Sequence, residues 1–454
     1  MLSKPQHNQE QQTENRFKCD IGRVLVSGIG KCIWILVLLA LISTAQATIY
    51  VTNNLTIQDA IDSISANRSW KETIVVIGKQ TTGYSINVPD NIILDLKNAD
   101  ITWIGEIGSG TKIFNVYGNN IEIYGGNSKS NGADYHFLLS GNNIKLFGGN
   151  YSGFVGTSGL FKITGSDIEI SGITAYNNDK AIGINNLNGA TNVNIHNNLF
   201  YNFSDMAVDS GSSDSTSQLS NIKVNYNTII GGEGGGIGFY SNVINSEAIG
   251  NTIQNKGSRC FRISNQNNNG NPTNIQISNN QCFDFKYAAV WLQGSESVKV
   301  INNQFISSVQ PKETAILLDT NINKNTTIYG NSIKMQQHTN FLTIRASVGS
   351  TYGFIVLNNI FDGGAGSYFS NADNSDISNN IFKNANGYGI EVGNTKNSVF
   401  INNRIYNSKD VAIKEYLGSS NNIYYGNIFK DNGGCIISSA TSVKYFNSCD
   451  GVIS

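Results

Sequence analysis

The chain has 454 residues, of which 47 are Gly, only 4 are Pro and only 14% carry charge. Its 20 Tyr and 21 Phe, within 39% hydrophobic residues, exclude a disordered chain, which could not keep so much apolar surface in water. The formal net charge of −1 excludes a strongly basic chain and gives no sign of the basic face that nucleic acid usually demands, so no nucleic-acid partner is expected.

Residues 1–47 read as a leader. A polar segment carrying Arg16, Lys18, Arg23 and Lys31 precedes the apolar run "CIWILVLLALI", Cys32 to Ile42. "STAQAT" follows, with Ala45 and Ala47 in the small-residue spacing that a signal peptidase cuts. Eleven apolar residues fall short of the roughly twenty that span a bilayer. A cleaved signal peptide is therefore expected, with a retained N-terminal anchor as the alternative, and any membrane contact would run through that segment alone. The rest is expected to be secreted or held at the cell surface. Without the leader, 31 − 5 = 26 basic residues face 32 − 3 = 29 acidic ones, a net of −3. The sequons at Asn54, Asn67, Asn150, Asn202 and Asn325 would permit glycosylation.

Residues 48–112 read as a cap helix followed by the first strands. In "LTIQDAIDSIS", Thr56 can N-cap with Asp59 three residues on, and Ile57, Ile61 and Ile64 fall on one helical face. "ETIVVIG" and "NIILDL" are strands.

From residue 113 to 454 the chain repeats itself. "TNVNIHNNLFYN", "SNIKVNYNTII" and "TNIQISNNQCF" are copies of one phrase that ends on asparagine. Those asparagines are Asn198, Asn227, Asn251, Asn280, Asn303, Asn331, Asn359, Asn380, Asn403 and Asn427, spaced 21 to 29 residues apart. A period in the twenties signals a stacked-repeat architecture. Each unit holds short runs with period-two patterning, separated by Gly, Asn, Asp and Ser, so the runs are strands with tight corners. Three strands per unit, stacked in register, make an all-β, right-handed, single-stranded parallel β-helix of about fourteen coils.

Two residues beyond each asparagine lies an apolar side chain, from Phe200 and Ile229 to Ile405 and Phe429, which forms one interior ladder. A second ladder follows the next corner: Ile182, Val208, Ile237, Phe261, Val290, Ile316, Leu342, Phe369, Ile390, Ile413 and Ile436. The asparagines are assigned to corners, where the left-handed backbone suits them and their amides can bond along the stack. Of the four cysteines after the leader, Cys435 and Cys449 can close a loop in the last turn. Cys282 occupies an apolar column and reads as a buried thiol.

A helix, then strands, then "NNIxIxNN…GIxI" coils over residues 48 to 450 resembles the pectate-lyase-like superfamily. The resemblance implies the fold and names no reaction. It also implies that a substrate groove lies over the strands "DMAVDS", "GGIGFY", "RCFRIS" and "AAVWLQ". Their outward column runs Asp209, Gly238, Arg262, Trp291, Leu317, Thr343, Ser370, Glu391 and Lys414. Asp205 and Asp209 share one coil, Glu233 opens the next inside "GGEGGGIG", then come Arg259, Arg262, Lys286, Tyr287 and Trp291. Asp205, Asp209, Glu233, Arg259 and Arg262 are the candidate catalytic set, as acids, bases and neutralising cations. Lys286, Tyr287 and Trp291 are the candidate sugar-binding set, with glycines letting a chain lie close.

His196 reads as a surface residue, while His136 and His338 are isolated. No cofactor or resident metal is expected; calcium is the one ion the superfamily would admit, on Asp205, Asp209 and Glu233. The "NTD", "DD", "GHG" and "RxK" set of polygalacturonases is missing from the repeats, as is the epimerases' "DPHD". The expected function is an extracellular β-helix that binds or processes a polysaccharide or cell-surface glycan, by lyase or hydrolase chemistry if it is an enzyme. The alternative is a non-catalytic surface or envelope protein, or an adhesin.

Overall fold

A computed structural model describes residues 48–454 except 53, 65, 67, 107, 131, 154–158, 186–188, 212–216, 255–256, 266–269, 310–313, 320–322, 337–341, 347–352, 417, 440 and 454. The leader, the sequon at Asn67 and His338 lie outside the described residues. Among these residues no helix is long and apolar enough to cross a membrane.

Alternating apolar residues can bury one face of a strand only against another strand, and here the chain supplies that partner to itself every coil. Thr191–His196, Leu199–Phe203 and Val208–Gly211 form one coil. Leu219–Asn225, Thr228–Ile230 and Ile237–Tyr240 form the next. They pair in parallel and in register, Ile195 on Val224, Phe200 on Ile229 and Val208 on Ile237. Repetition gives a right-handed parallel solenoid of about 15 turns. The third strands of the coils make a sheet of their own with fifteen strands, and the first and second strands make the rest.

The ladder from Phe200 through Cys282 to Phe429 is continuous in the pairing. The second ladder departs from its sequence reading in two coils. Ile316 pairs with Ile344 and Ile344 with Ser367, where Leu342 and Phe369 were expected. The outward column accordingly passes through Arg345 and Tyr368, not Thr343 and Ser370. Thr343 is buried and its hydroxyl donates to the Gly366 carbonyl at 3.0 Å. The error is a slip of two residues. Such a slip preserves the alternation along the strand, so the pattern cannot reveal it, although Thr343 and Ser370 at the strand ends turn out buried.

The asparagines are structural and their amides bond along the stack as expected, but they do not take the left-handed corner themselves. Each Oδ1 accepts both the backbone N–H and the Nδ2–H of the asparagine one coil before it: Asn280 donates to Asn303 at 2.9 Å through both. Each Nδ2 also donates to a carbonyl at the end of the first strand, as Asn303 does to Ile277 at 2.9 Å. The ladder continues in this way from Asn198 to Asn447. The left-handed turn is taken by the residue before each anchor. Asn197, Asn279 and Asn302 have φ of 56°, 55° and 53°, and Gly250, Gly330 and Gly426 fill the same place. The anchor itself is buried and bonded, which frees the preceding residue to turn in solvent.

A helix forms at Ile57–Asp62, shorter than the apolar spacing to Ile64 implied. Thr56 and Asp59 make the reciprocal capping box, and Ile57, Ala60 and Ile61 are buried. Cys435 pairs with Cys449 as expected. Cys282 is not a thiol: it is bonded to Cys260, across a Cα–Cα distance of 6.3 Å that stacked coils provide.

Candidate functional site

The outer face of the fifteen-strand sheet brings most of the expected residues together. Asp209 is in register with Gly238, Gly238 with Arg262, and Arg262 with Trp291, so three steps of the solenoid run from acid to indole. At the acidic end a residue the sequence reading passed over takes control. Lys180, on the corner before Ile182–Asn185, places Nζ 2.5 Å from Asp209 Oδ2 and 3.1 Å from Asp205 Oδ2. Burial disfavours the Lys180 ammonium, but Asp209 first and Asp205 second outweigh it, so its pKa rises above the ordinary lysine value. Asp209 is recessed, and burial raises its carboxyl above the usual carboxylate range against the pull of Lys180.

Glycine at 238 does not leave an open floor. The Tyr240 ring lies on it: a Cβ built at Gly238 would stand 2.6 Å from Tyr240 Cε2, and one at Gly211 2.8 Å from Tyr240 Cβ. The glycines hold a buried tyrosine, whose phenol is pushed above its ordinary pKa by that burial and by Asp209. The Arg262 guanidinium packs between aromatic rings, 5.3 Å from the Tyr240 centroid and 4.5 Å from Trp291. Arg259 sits 3.9 Å from the Trp291 ring and 5.2 Å from Tyr287. Trp291 Nε1 donates to Asp319 Oδ2 at 3.2 Å. Trp291 is therefore the hub on which two guanidiniums are set, and not the bare stacking platform expected.

Glu233 and Lys286 occupy exposed corners beside this face and join neither the carboxylate pair nor the arginine–aromatic stack. His196 lies on another sheet, where its Nε2 stands 3.1 Å from Glu169 Oε1. His136 is fully buried, and burial lowers its pKa to about 3. Calcium does not fit the acidic residues, because the Lys180 ammonium already stands between Asp205 and Asp209 while Glu233 is elsewhere. Among the described residues no group of three or more His, Cys, Asp or Glu side chains converges as a metal site. Sequence reasoning missed Lys180, Tyr240 and Asp319. A usable signal existed for Tyr240: beside an outward glycine, the next outward side chain of the same strand is free to fold over it.

No curated protein matches the chain. Residues 314–450 match the family described as right handed beta helix region. The chain is a right-handed parallel β-helix repeat protein. Among solved β-helices it is similar to the N-terminal fragment of gene product 12 of bacteriophage Phi29, with 13% identity, a TM-score of 0.55 and coverage of 94% of this chain and 75% of that one. It is also similar to the Dettilon tailspike protein, with 13% identity, a TM-score of 0.54 and coverage of 70% and 68%. A third is a tailspike mutant of the E. coli bacteriophage HK620, solved in complex with a pentasaccharide, with 14% identity, a TM-score of 0.52 and coverage of 87% and 78%. Identities this low speak for the shared β-helix alone, and no specific enzyme family is matched.

Proposed function

We propose that the protein is an extracellular polysaccharide-binding β-helix whose glycan surface is the sheet face from Asp209 to Trp291. The observation that carries this reading is the interleaving of Tyr240, Arg262, Trp291, Arg259 and Tyr287 in consecutive coils, with the cations fixed on the rings. Sugars are amphipathic, and such a surface offers apolar ring edges and oriented N–H donors at one place without prior ordering of flexible chains. Asp205, Asp209 and Lys180 supply acceptors and a donor at one end. The HK620 tailspike, a β-helix of similar fold, was solved with a pentasaccharide, which supports a glycan as ligand. The leader and two disulfides support a location outside the cytoplasm, where such bonds persist.

A second reading, catalysis, is favoured by one observation: the raised Asp209 carboxyl lies beside a second carboxylate and an ammonium, which is how a general acid is poised. Exposing the mature chain to neutral and acidic polysaccharides tests both. The binding reading predicts retention of at least one polysaccharide, lost in Trp291→Ala, with no new reducing ends or unsaturated products. Turnover abolished by Asp209→Asn would establish the enzyme. Binding untouched by Trp291→Ala would remove this face from the account.

A further inference from the structure

A second cluster on the same sheet face repeats the construction of the first. The outward column continues from Trp291 through Leu317, Arg345 and Tyr368 to Glu391 and Lys414. Lys414 lies five coils from Trp291, roughly 24 Å at about 4.8 Å per coil. Its Nζ packs 4.5 Å from the Tyr388 centroid and 4.8 Å from that of Tyr416, and donates to the Tyr388 hydroxyl at 2.7 Å. The Tyr416 hydroxyl donates to Glu391 Oε2 at 2.5 Å. Tyr368 lies against a glycine, its Oη 3.0 Å from where a Gly393 Cβ would stand.

The parallels with the first cluster are specific. In each, a cation is held between two aromatic rings, a tyrosine takes the space a glycine vacates, and a carboxylate shares a coil or its neighbour. Solubility alone asks for scattered exposed charges, not for half-buried charges clamped by rings at matching positions of one column.

The geometry points to a second glycan subsite, Tyr368, Tyr388, Glu391, Lys414 and Tyr416, that takes neutral pyranose residues of a chain lying along the solenoid axis. Its one cation and one anion cancel, which favours a neutral sugar. Its phenols and ammonium present hydroxyl-scale donors and acceptors beside ring carbon. The subsite deepens the proposed function and rests on it for the direction of the bound chain. Two subsites on one rigid face gain affinity together only for a chain long enough to reach both.

Calorimetry with malto-, xylo- and chito-oligosaccharides of two to eight residues tests it, on the full chain and on Lys414→Met, Tyr416→Phe and Trp291→Ala. Tyr416→Phe keeps the ring, so that variant separates lost hydrogen bonding from lost folding. The expected result is an octasaccharide bound about tenfold more weakly by Lys414→Met and Tyr416→Phe, at unchanged melting temperature. Disaccharide stoichiometry should fall from two to one. Octasaccharide affinity lost in Trp291→Ala but unchanged in both other variants overturns the second subsite and leaves the first face standing. Loss in Lys414→Met and Tyr416→Phe with none in Trp291→Ala supports this subsite and refutes the first face. No binding of any of these probes by the unaltered chain overturns this proposal, whatever acidic polysaccharide the first face takes.

Discussion

Asn303 and Asn302 stand next to each other and do opposite work. Asn303 is buried and its Oδ1 accepts two hydrogen bonds from Asn280. Asn303→Leu would strand both donors in an apolar stack. Each stranded group costs about 1–3 kcal/mol, and the denaturation midpoint in urea should fall accordingly. Asn302 is exposed with φ of 53°, so Asn302→Ala should cost about 1–2 kcal/mol and Asn302→Gly almost nothing. Equal losses for the two alanine and leucine changes would contradict this division. His136 adds a pH dependence. Its folded pKa of about 3 lies below the unfolded value of about 6.5, so the unfolded chain binds the extra proton first. The stability it contributes is complete above pH 6.5 and is lost as the pH falls toward 3, at up to about 1.4 kcal/mol per pH unit. His136→Phe should flatten that limb of the stability curve; an unchanged slope would mean that other groups set it. The anchors were legible in the sequence because every copy repeats them, and so was their amide ladder, but the corner assigned to them belongs to the residue before. A repeated polar residue marks either the corner or the ladder, and only the backbone angles separate the two.

Between neighbouring coils, the element that decides stability is the strand-to-strand contact, since parallel strands of successive coils supply most of each other's partners. The Cys260–Cys282 bridge fastens two such coils with a sequence separation of 22. The Cys260→Ser, Cys282→Ser double variant should lose about 3 kcal/mol by the loop-closure estimate, read as a lower melting temperature under non-reducing conditions. No difference between the double variant and the parent would show that the stack alone fixes those coils. Element positions were readable wherever the corner kept its usual length. They failed at residues 342–370, where a slip of two residues preserves parity and leaves no trace in the pattern. The candidate site was half legible for the same reason. Asp209, Arg262 and Trp291 share a column and could be aligned, while Lys180 reaches the carboxylates from a corner whose register the repeat does not report.

Across the described solenoid, the inward columns other than the buried asparagine ladder hold apolar residues that exchange from coil to coil, and the outward columns mostly vary without pattern. Two stretches of the third-strand face, at Asp209–Trp291 and at Tyr368–Tyr416, break that rule with a cation set between two rings, whereas Lys162, earlier on the same face, meets the one ring of Tyr135. A rigid face of this kind gives a glycan chain a preformed track, so little ordering is needed on binding. The measurement that tests the claim most directly is hydrogen–deuterium exchange of the mature chain with and without a retained polysaccharide. Slowed exchange is predicted in Val208–Gly211, Ile237–Tyr240, Phe261–Ser264 and Val290–Gln293, with Thr191–His196 and Thr273–Ser278 unchanged. Protection centred on those last two strands, with none on the first four, would contradict it.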